Sequence, residues 1–280
     1  MTTLQTRRRF IATTALAGAA GILPSSLLAA EEALEITTIR LPKTPAICIA
    51  PGYAAEELLS AEGFTDVRYI ELPNATASPI EAVARGEIDL NLNYAINYVS
   101  AIDSGNSITL LAGVHVGCYE LFGREGVRSI ADLKGKSVGV GAVGSTGALL
   151  VTMMAAHVGL DPAKDIDWVT DPKVKPIELF VQGKVDAFLG FPPEPQDLRA
   201  RQIGNVIVNS AVDRPWSEYF CCMVGGNPDF VRKHPVATKR ALRAILKAAD
   251  PLRQRSGARC TTAGRRGFHS ALRVCFASAQ

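Results

Sequence analysis

Two short stretches, about 97 positions apart, repeat one pattern: Ala84-Arg85-Gly86-Glu87-Ile88-Asp89-Leu90 and Val181-Gln182-Gly183-Lys184-Val185-Asp186-Ala187. In each, a helix-like stretch stops at a glycine, takes one charged residue, and enters an apolar strand through an aspartate. Glycine suits the left-handed residue that ends a helix. The β-branched run after it suits a buried strand. Each strand leads into a loop: Asn91-Leu92-Asn93-Tyr94 in the first copy, Gly190-Phe191-Pro192-Pro193-Glu194 in the second. Two copies of one helix–strand–loop unit predict two similar α/β lobes. Open α/β sheets bind ligands at the carboxyl ends of their strands, where these loops fall.

The rest of the chain reads as strands alternating with helices, which predicts a parallel α/β organisation. Strands are expected at 37–41, 67–70 and 88–92, with helices at 53–62 and 79–85. The stretches 107–116 and 118–122 are β-like and carry the chain out of the first lobe. The second lobe is expected to hold strands at 137–140, 166–170, 185–191 and 206–208. Its helices are expected at 148–158, almost wholly apolar and therefore buried, and at 176–182. A return strand at 219–224 leads to helices at 228–233 and 236–249 that pack back on the first lobe.

The two ends differ from the body. Thr6-Arg7-Arg8-Arg9-Phe10-Ile11 matches the twin-arginine export pattern, a short apolar stretch runs from Ile11 to Leu23, and Leu28-Ala29-Ala30 offers a cleavage site before Glu31. Residues 1–30 are therefore expected to be a signal peptide that takes the protein to the periplasm. Residues 251–280 carry six Arg and two Cys but no Lys, Asp or Glu. That break in composition predicts an atypical basic tail outside the fold, either a shifted frame or replaced terminus beginning near Asp250 or a natural basic tail. The whole chain is +3, whereas residues 31–250 alone sum to −6. A mildly acidic body argues against a nucleic-acid partner.

Chemistry-bearing motifs are few. Gly139-Val140-Gly141-Ala142-Val143-Gly144 is a literal G-x-G-x-x-G between a strand and a helix, the spacing of a dinucleotide site. Two other readings stand beside it. Ser145 and Thr146 at the helix entrance suit a small anion or carboxylate held by backbone N–H groups, and a capped glycine turn needs no ligand. Cys48, Cys118, Cys221 and Cys222 lack the C-x-x-C spacing of a metal or redox site. They read as small buried residues, or as a disulfide of Cys118 with Cys221 or Cys222. The histidines are scattered, and His157, in the apolar helix, is expected in the core. No catalytic residues, metal or cofactor are expected.

Several of these features together resemble the substrate-binding proteins of nitrate/sulfonate/taurine-type ABC importers, which share a domain family with the thiamine-pyrimidine-precursor synthases. They are the leader, the Asp132-Leu133-Lys134-Gly135-Lys136-Ser137-Val138-Gly139-Val140 phrase, the Gly144-Ser145-Thr146 helix entrance and the repeated Gly-x-hydrophobic-Asp units. The resemblance implies a type II periplasmic-binding-protein fold, with two α/β lobes, a cleft and two crossing hinge strands. Lobe one would be discontinuous, 31–116 plus 222–250, and lobe two would span 117–221. It implies a monomer that captures a small organic or inorganic solute, anions included, by lobe closure and passes it to an inner-membrane permease. Ligand contacts are expected from Tyr53, Asn93, Tyr94, His115, Gly144, Ser145, Thr146, Phe191, Glu194 and Trp216. The alternatives are a synthase on the same fold, though its Cys- and His-rich iron-binding motif is missing, and a sensory binding module.

Overall fold

The computed structural model describes residues 32–254, apart from residue 45 and residues 74–77. The expected signal peptide and almost all of the basic tail lie outside the described residues. Among the described residues, 34–254 belong to a single unit.

β1 (Thr38–Pro42) pairs in parallel with β2 (Asp66–Ile70). Between them lie α1 (Ala50–Ala54) and α2 (Glu56–Ala61). One helix was expected here. Pro51 starts the first turn early, where proline is favoured, and the path breaks at Ala55. α3 (Pro79–Ala84) opens on Ser78, whose hydroxyl accepts from the Glu81 N–H at 3.4 Å. β3 (Leu90–Tyr94) runs straight into α4 (Ala95–Asp103), a helix the sequence reading did not anticipate. β4 (Thr109–Val116) leads to the first crossing, and β5 (Glu120–Gly123) enters lobe two.

Lobe two continues with β6 (Lys136–Gly139), α5 (Thr146–His157), β7 (Ile166–Val169) and α6 (Pro176–Val181). β8 (Ala187–Gly190), α7 (Glu194–Ala200) and β9 (Asn205–Asn209) complete it. After a 3-10 turn at Trp216–Glu218, β10 (Phe220–Gly226) returns to lobe one, followed by α8 (Pro228–Lys233) and α9 (Pro235–Gln254). α9 thus runs four residues past the expected end of the fold at 250. None of the described helices is long and apolar enough to cross a membrane.

The sheets are not all parallel. Lobe two holds one sheet in the order β7-β6-β8-β5-β9, with β5 antiparallel to β8 and β9. Lobe one holds the β1-β2 pair and a β3-β10-β4 sheet in which β10 is antiparallel to both neighbours. The reason is topological. A strand arriving across the hinge enters at the cleft rim, where the lobe's other strands end, so it must run against them. Accordingly Glu120, first in β5, faces Gly190, last in β8, and Cys222, near the start of β10, faces Tyr94, last in β3.

The repeat noticed in the sequence builds the same clasp twice. Gly86 and Gly183 both take the left-handed conformation, φ +75° and +73°. Asp89 N–H donates to the Arg40 carbonyl at 3.0 Å, while its carboxylate accepts the Arg40 N–H at 2.7 Å. Asp186 N–H donates to the Ser137 carbonyl at 3.0 Å, and its carboxylate accepts the Ser137 N–H at 2.9 Å. The residues just after the two crossing strands, β10 and β5, close the clasps. Asn227 N–H donates to the Asp89 carbonyl at 2.9 Å, and Arg124 N–H to the Asp186 carbonyl at 2.8 Å.

Each lobe buries its own core. In lobe one, Ile39, Leu59, Leu90 and Val224 pack with Ala241, Ala244 and Ile245 of α9. In lobe two, Leu121, Leu133, Val138, Val151 and Met154 form the centre. Each of the Leu, Ile, Val and Met side chains, fully buried, contributes about 1.5–3 kcal/mol. The expectation that the helix at 148–158 would be buried all round is corrected. Only Ala148, Val151, Met154 and Ala155 are buried in α5. His157 is exposed and meets the Trp216 ring edge-on at 5.2 Å, because α5 covers one face of the sheet and leaves its other side to solvent.

Candidate functional site

A cavity of about 190 Å³ lies where the lobes meet. Lobe one supplies Tyr94 from β3 and Ala95, Ile96 and Val99 from α4; lobe two supplies Leu150, Met153 and Met154 from α5, and Ser210. The two crossings supply Gly117 and Tyr119 on one side and Trp216, Tyr219, Phe220 and Cys221 on the other. Tyr94 and Tyr119 face each other at 5.5 Å, and Phe191 meets the edge of Tyr119 at 6.2 Å. Among the described residues, no Lys, Arg, His, Asp or Glu lines the cavity. Burial pushes the Tyr94 and Tyr119 hydroxyls well above the usual phenol range, so both stay neutral donors.

A polar relay crosses the cleft beside this cavity. The Thr146 hydroxyl donates to Asn97 Oδ1 at 2.9 Å, and Asn97 Nδ2 donates to Asn93 Oδ1 at 3.2 Å. The relay joins the N-terminus of α5 to α4 and β3. Asn97 was not among the expected residues, because it lies on the helix that was not anticipated.

The expected ligand contacts separate into three groups. Tyr94 and Trp216 line the cavity. Phe191 backs one of its rings, and Asn93 and Thr146 belong to the relay. The others are not among the lining residues. Tyr53 stacks on Tyr69 at 4.9 Å and donates to the Thr44 carbonyl at 3.0 Å. The glycine loop is exposed, with Gly144 at φ +83°, and the Ser145 hydroxyl caps α5 by accepting from the Ala148 N–H. Glu194 accepts from the Phe191 N–H at 3.3 Å, and burial raises its carboxyl above the usual range. A second hollow of about 240 Å³, lined by Arg124, Glu125, Arg128, Gln202 and Asn205, lies at the far end of β5 from the junction.

His115 sits in a cluster that the sequence reading dispersed. Its donor nitrogen and the sulfurs of Cys118, Cys221 and Cys222 all lie within 4.8 Å of one another. All four cysteines of the body are free thiols. Cys118 takes φ +142°, rare for a residue with a side chain. Gly117 before it is also left-handed, and a Cβ there would stand 2.6 Å from Ala211 Cβ. The crossing is thus folded tightly enough to turn Cys118 inward. Hydrogen bonds from Cys221, Cys222 and Cys48 hold the Cys118 thiol below the usual thiol range. Cys221 is raised by its bond to Cys118, and Cys222 is raised by burial. The residues of this group had been judged by C-x-x-C spacing, whereas the fold assembles them from both crossings. His115-x-x-Cys118 together with the adjacent Cys221-Cys222 pair is the signal that could have found it, and the sequence reading did not use it.

Comparison with known proteins places this geometry. The family described as NMT1/THI5 like matches residues 53–255. No curated protein matches the sequence. The aliphatic sulphonate binding protein SsuA from Escherichia coli superposes with TM-score 0.63 at 16% identity, over 87% of this chain and 79% of that one. The alkanesulfonate-binding protein SsuA from Xanthomonas axonopodis pv. citri, bound to MOPS, gives 0.62 at 20% identity, over 80% and 78%. The nitrate-binding protein NrtA from Synechocystis PCC 6803 gives 0.57 at 18% identity, over 78% and 62%. The fold is that of periplasmic binding proteins.

Proposed function

Since the chain belongs to the NMT1/THI5-like family, we propose that it is the solute-binding component of an ABC importer, working in the periplasm. The observation that carries this reading is the cavity walled by both lobes and both crossings. A solute held there touches parts that move relative to one another, so its binding energy favours the closed arrangement. The closed form then docks on a membrane permease. The protein acts as a monomer, and the Arg7-Arg8-Arg9 leader directs export by the twin-arginine route. In this reading lobe one comprises 31–116 and 222–250, and lobe two 117–221; that Val114 and Cys222 pack in one core and Tyr119 and Trp216 in another supports it. The Thr146–Asn97–Asn93 relay latches the closed state.

The solute is small and uncharged, with an apolar or aromatic body. A sulfonate or nitrate in this cavity would meet no cationic side chain, and an uncompensated buried charge is expensive. Tyr94, Tyr119 and Trp216 supply the stacking faces, and the tyrosine hydroxyls and Ser210 supply the polar contacts. Binding without turnover distinguishes this reading from a synthase on the same fold.

A thermal-shift panel of neutral aromatics, amino acids, pyrimidines and alkanesulfonates tests it. A ligand at 100 times its Kd adds about 2.7 kcal/mol of stability. The expected result is a Tm rise with one neutral class, lost in Trp216→Ala and unaccompanied by solute consumption. A shift confined to sulfonates, or consumption of the solute over hours, would overturn the proposal.

A further inference from the structure

We infer that His115, Cys118, Cys221 and Cys222 form a binding site for one thiophilic cation of the zinc(II) or copper(I) kind, spanning the two crossings of the hinge. This inference goes beyond solute binding, and of the four donors only Cys221 also lines the cavity. Its basis is a juxtaposition of donors. One imidazole nitrogen and three sulfurs converge within 4.8 Å, the number and type of ligands that a tetrahedral thiolate-rich site uses.

Two edges of the cluster match what a central ion requires, and the other four stay within 4.8 Å. Bond lengths of about 2.3 Å to sulfur and 2.0–2.1 Å to nitrogen put tetrahedral S···S edges near 3.8 Å and S···N edges near 3.5 Å. Cys221 Sγ and Cys222 Sγ lie 3.9 Å apart, and Cys118 Sγ lies 3.7 Å from His115 Nδ1. Adjacent residues of a strand normally point to opposite faces. Here the pairing of β10 with β4 shifts register on both sides of Cys222, and such bulges re-aim side chains.

The histidine is oriented as a ligand. Its Nε2 lies 2.9 Å from the Cys48 carbonyl, whereas Nδ1 lies 3.5 Å from the Val116 carbonyl. The shorter contact places the proton on Nε2, leaving the Nδ1 lone pair toward Cys118. Donation of the second ring N–H to a backbone carbonyl is the usual support for a metal-bound histidine. The left-handed Cys118 adds strain of the sort found where a site demands it.

Loading is a proton exchange: up to three thiols lose a proton as the cation binds, and the imidazole enters neutral. Affinity therefore falls on acidification. Because Cys118 lies on the outgoing crossing and Cys221 and Cys222 on the returning strand, the ion ties the two hinge segments together.

The test uses the full chain, untagged and reduced, with Cys260→Ser and Cys275→Ser so that the only thiols are those of the body. Anaerobic titration with cobalt(II) is expected to give one equivalent per chain, with intense visible tetrahedral bands and near-ultraviolet thiolate charge transfer, displaced by zinc(II). A parallel copper(I) titration tells which cation binds tighter. Cys118→Ser and His115→Ala are expected to weaken binding more than about 100-fold, beyond the 10–100-fold typical of an outer-shell loss. Circular dichroism of the metal-free variants establishes that they fold. Should Cys118→Ser misfold, the His115→Ala titration alone decides, since imidazole removal leaves every thiol in place. No cobalt binding by the reduced chain would overturn the inference. So would binding unchanged in a folded variant, or a chain recovered from the periplasm with its body cysteines oxidised and binding no metal after reduction.

Discussion

The two lobes solve one problem with different side chains. In both, an aspartate three residues after a left-handed glycine fastens the start of one strand to a neighbouring strand, β1 in lobe one and β6 in lobe two. In lobe one the fastening is ionic: Asp89, 2% exposed, meets the Arg40 guanidinium with an N···O distance of 2.5 Å. In lobe two it is neutral on one side: Asp186 accepts the Ser137 hydroxyl at 2.7 Å. A helix carbonyl is likewise satisfied twice. Asn227 Nδ2 donates to the Val83 carbonyl at 2.8 Å, and Arg124 Nε donates to the Phe180 carbonyl at 3.0 Å. The backbone geometry is what the repeat preserves, and the chemistry of the partner is free to vary around it.

The largest effect is expected where the clasp is charged and buried. Asp89→Ala leaves a guanidinium without its partner and the Arg40 N–H without its acceptor. Breaking such a pair costs about 3 kcal/mol, the lower end of the usual range because the Arg40 side chain is 37% exposed. Urea unfolding with the midpoint read separately by Trp168 and Trp216 fluorescence, both outside lobe one, checks it. Equal loss in Asp89→Ala and Asp186→Ala would break the distinction between the clasps.

Asp186→Asn is expected to cost less, about 1–2 kcal/mol, since no cation is stranded. It also carries a pH signature. The Ser137 N–H and hydroxyl hold the Asp186 carboxyl below its ordinary value. Its contribution is therefore complete above the unfolded value, near 3.9, and is lost as the pH falls through the folded one. Thermal melts across this acid range should show a flatter decline for Asp186→Asn than for the parent, and an unchanged slope would refute the assignment.

The smallest effect sharpens the likeness. Gly86→Ala and Gly183→Ala each force a Cβ into the left-handed region, at about 1 kcal/mol. A Cβ would have only ordinary contacts, 3.6 Å to Asn227 Nδ2 at the first and 3.4 Å to Arg124 at the second. The two Tm losses should agree to within error, and a clear inequality would mean that the turns are not equivalent.

Much of this was legible beforehand. The β-branched runs and glycine stops located nearly every strand, and Pro79, Pro176 and Pro228 marked helix starts that the structure retains. Two of the expected contacts, Tyr94 and Trp216, reach the cavity. α4 was hidden because Asn91-Leu92-Asn93-Tyr94 reads as a polar loop, although the tertiary setting makes it strand. His157 was misplaced because an apolar helix announces burial but not which of its sides is covered.

The sequence by itself determined the local alphabet: where helices stop, where strands begin, and that one unit occurs twice. Those features depend on residues within a few positions of one another, so they are written locally. Only the tertiary structure decided that β5 and β10 run against their neighbours, that the cavity is uncharged, and that His115, Cys118, Cys221 and Cys222 meet. Each of these follows from the chain crossing between lobes twice, which brings residues about 100 positions apart to one hinge.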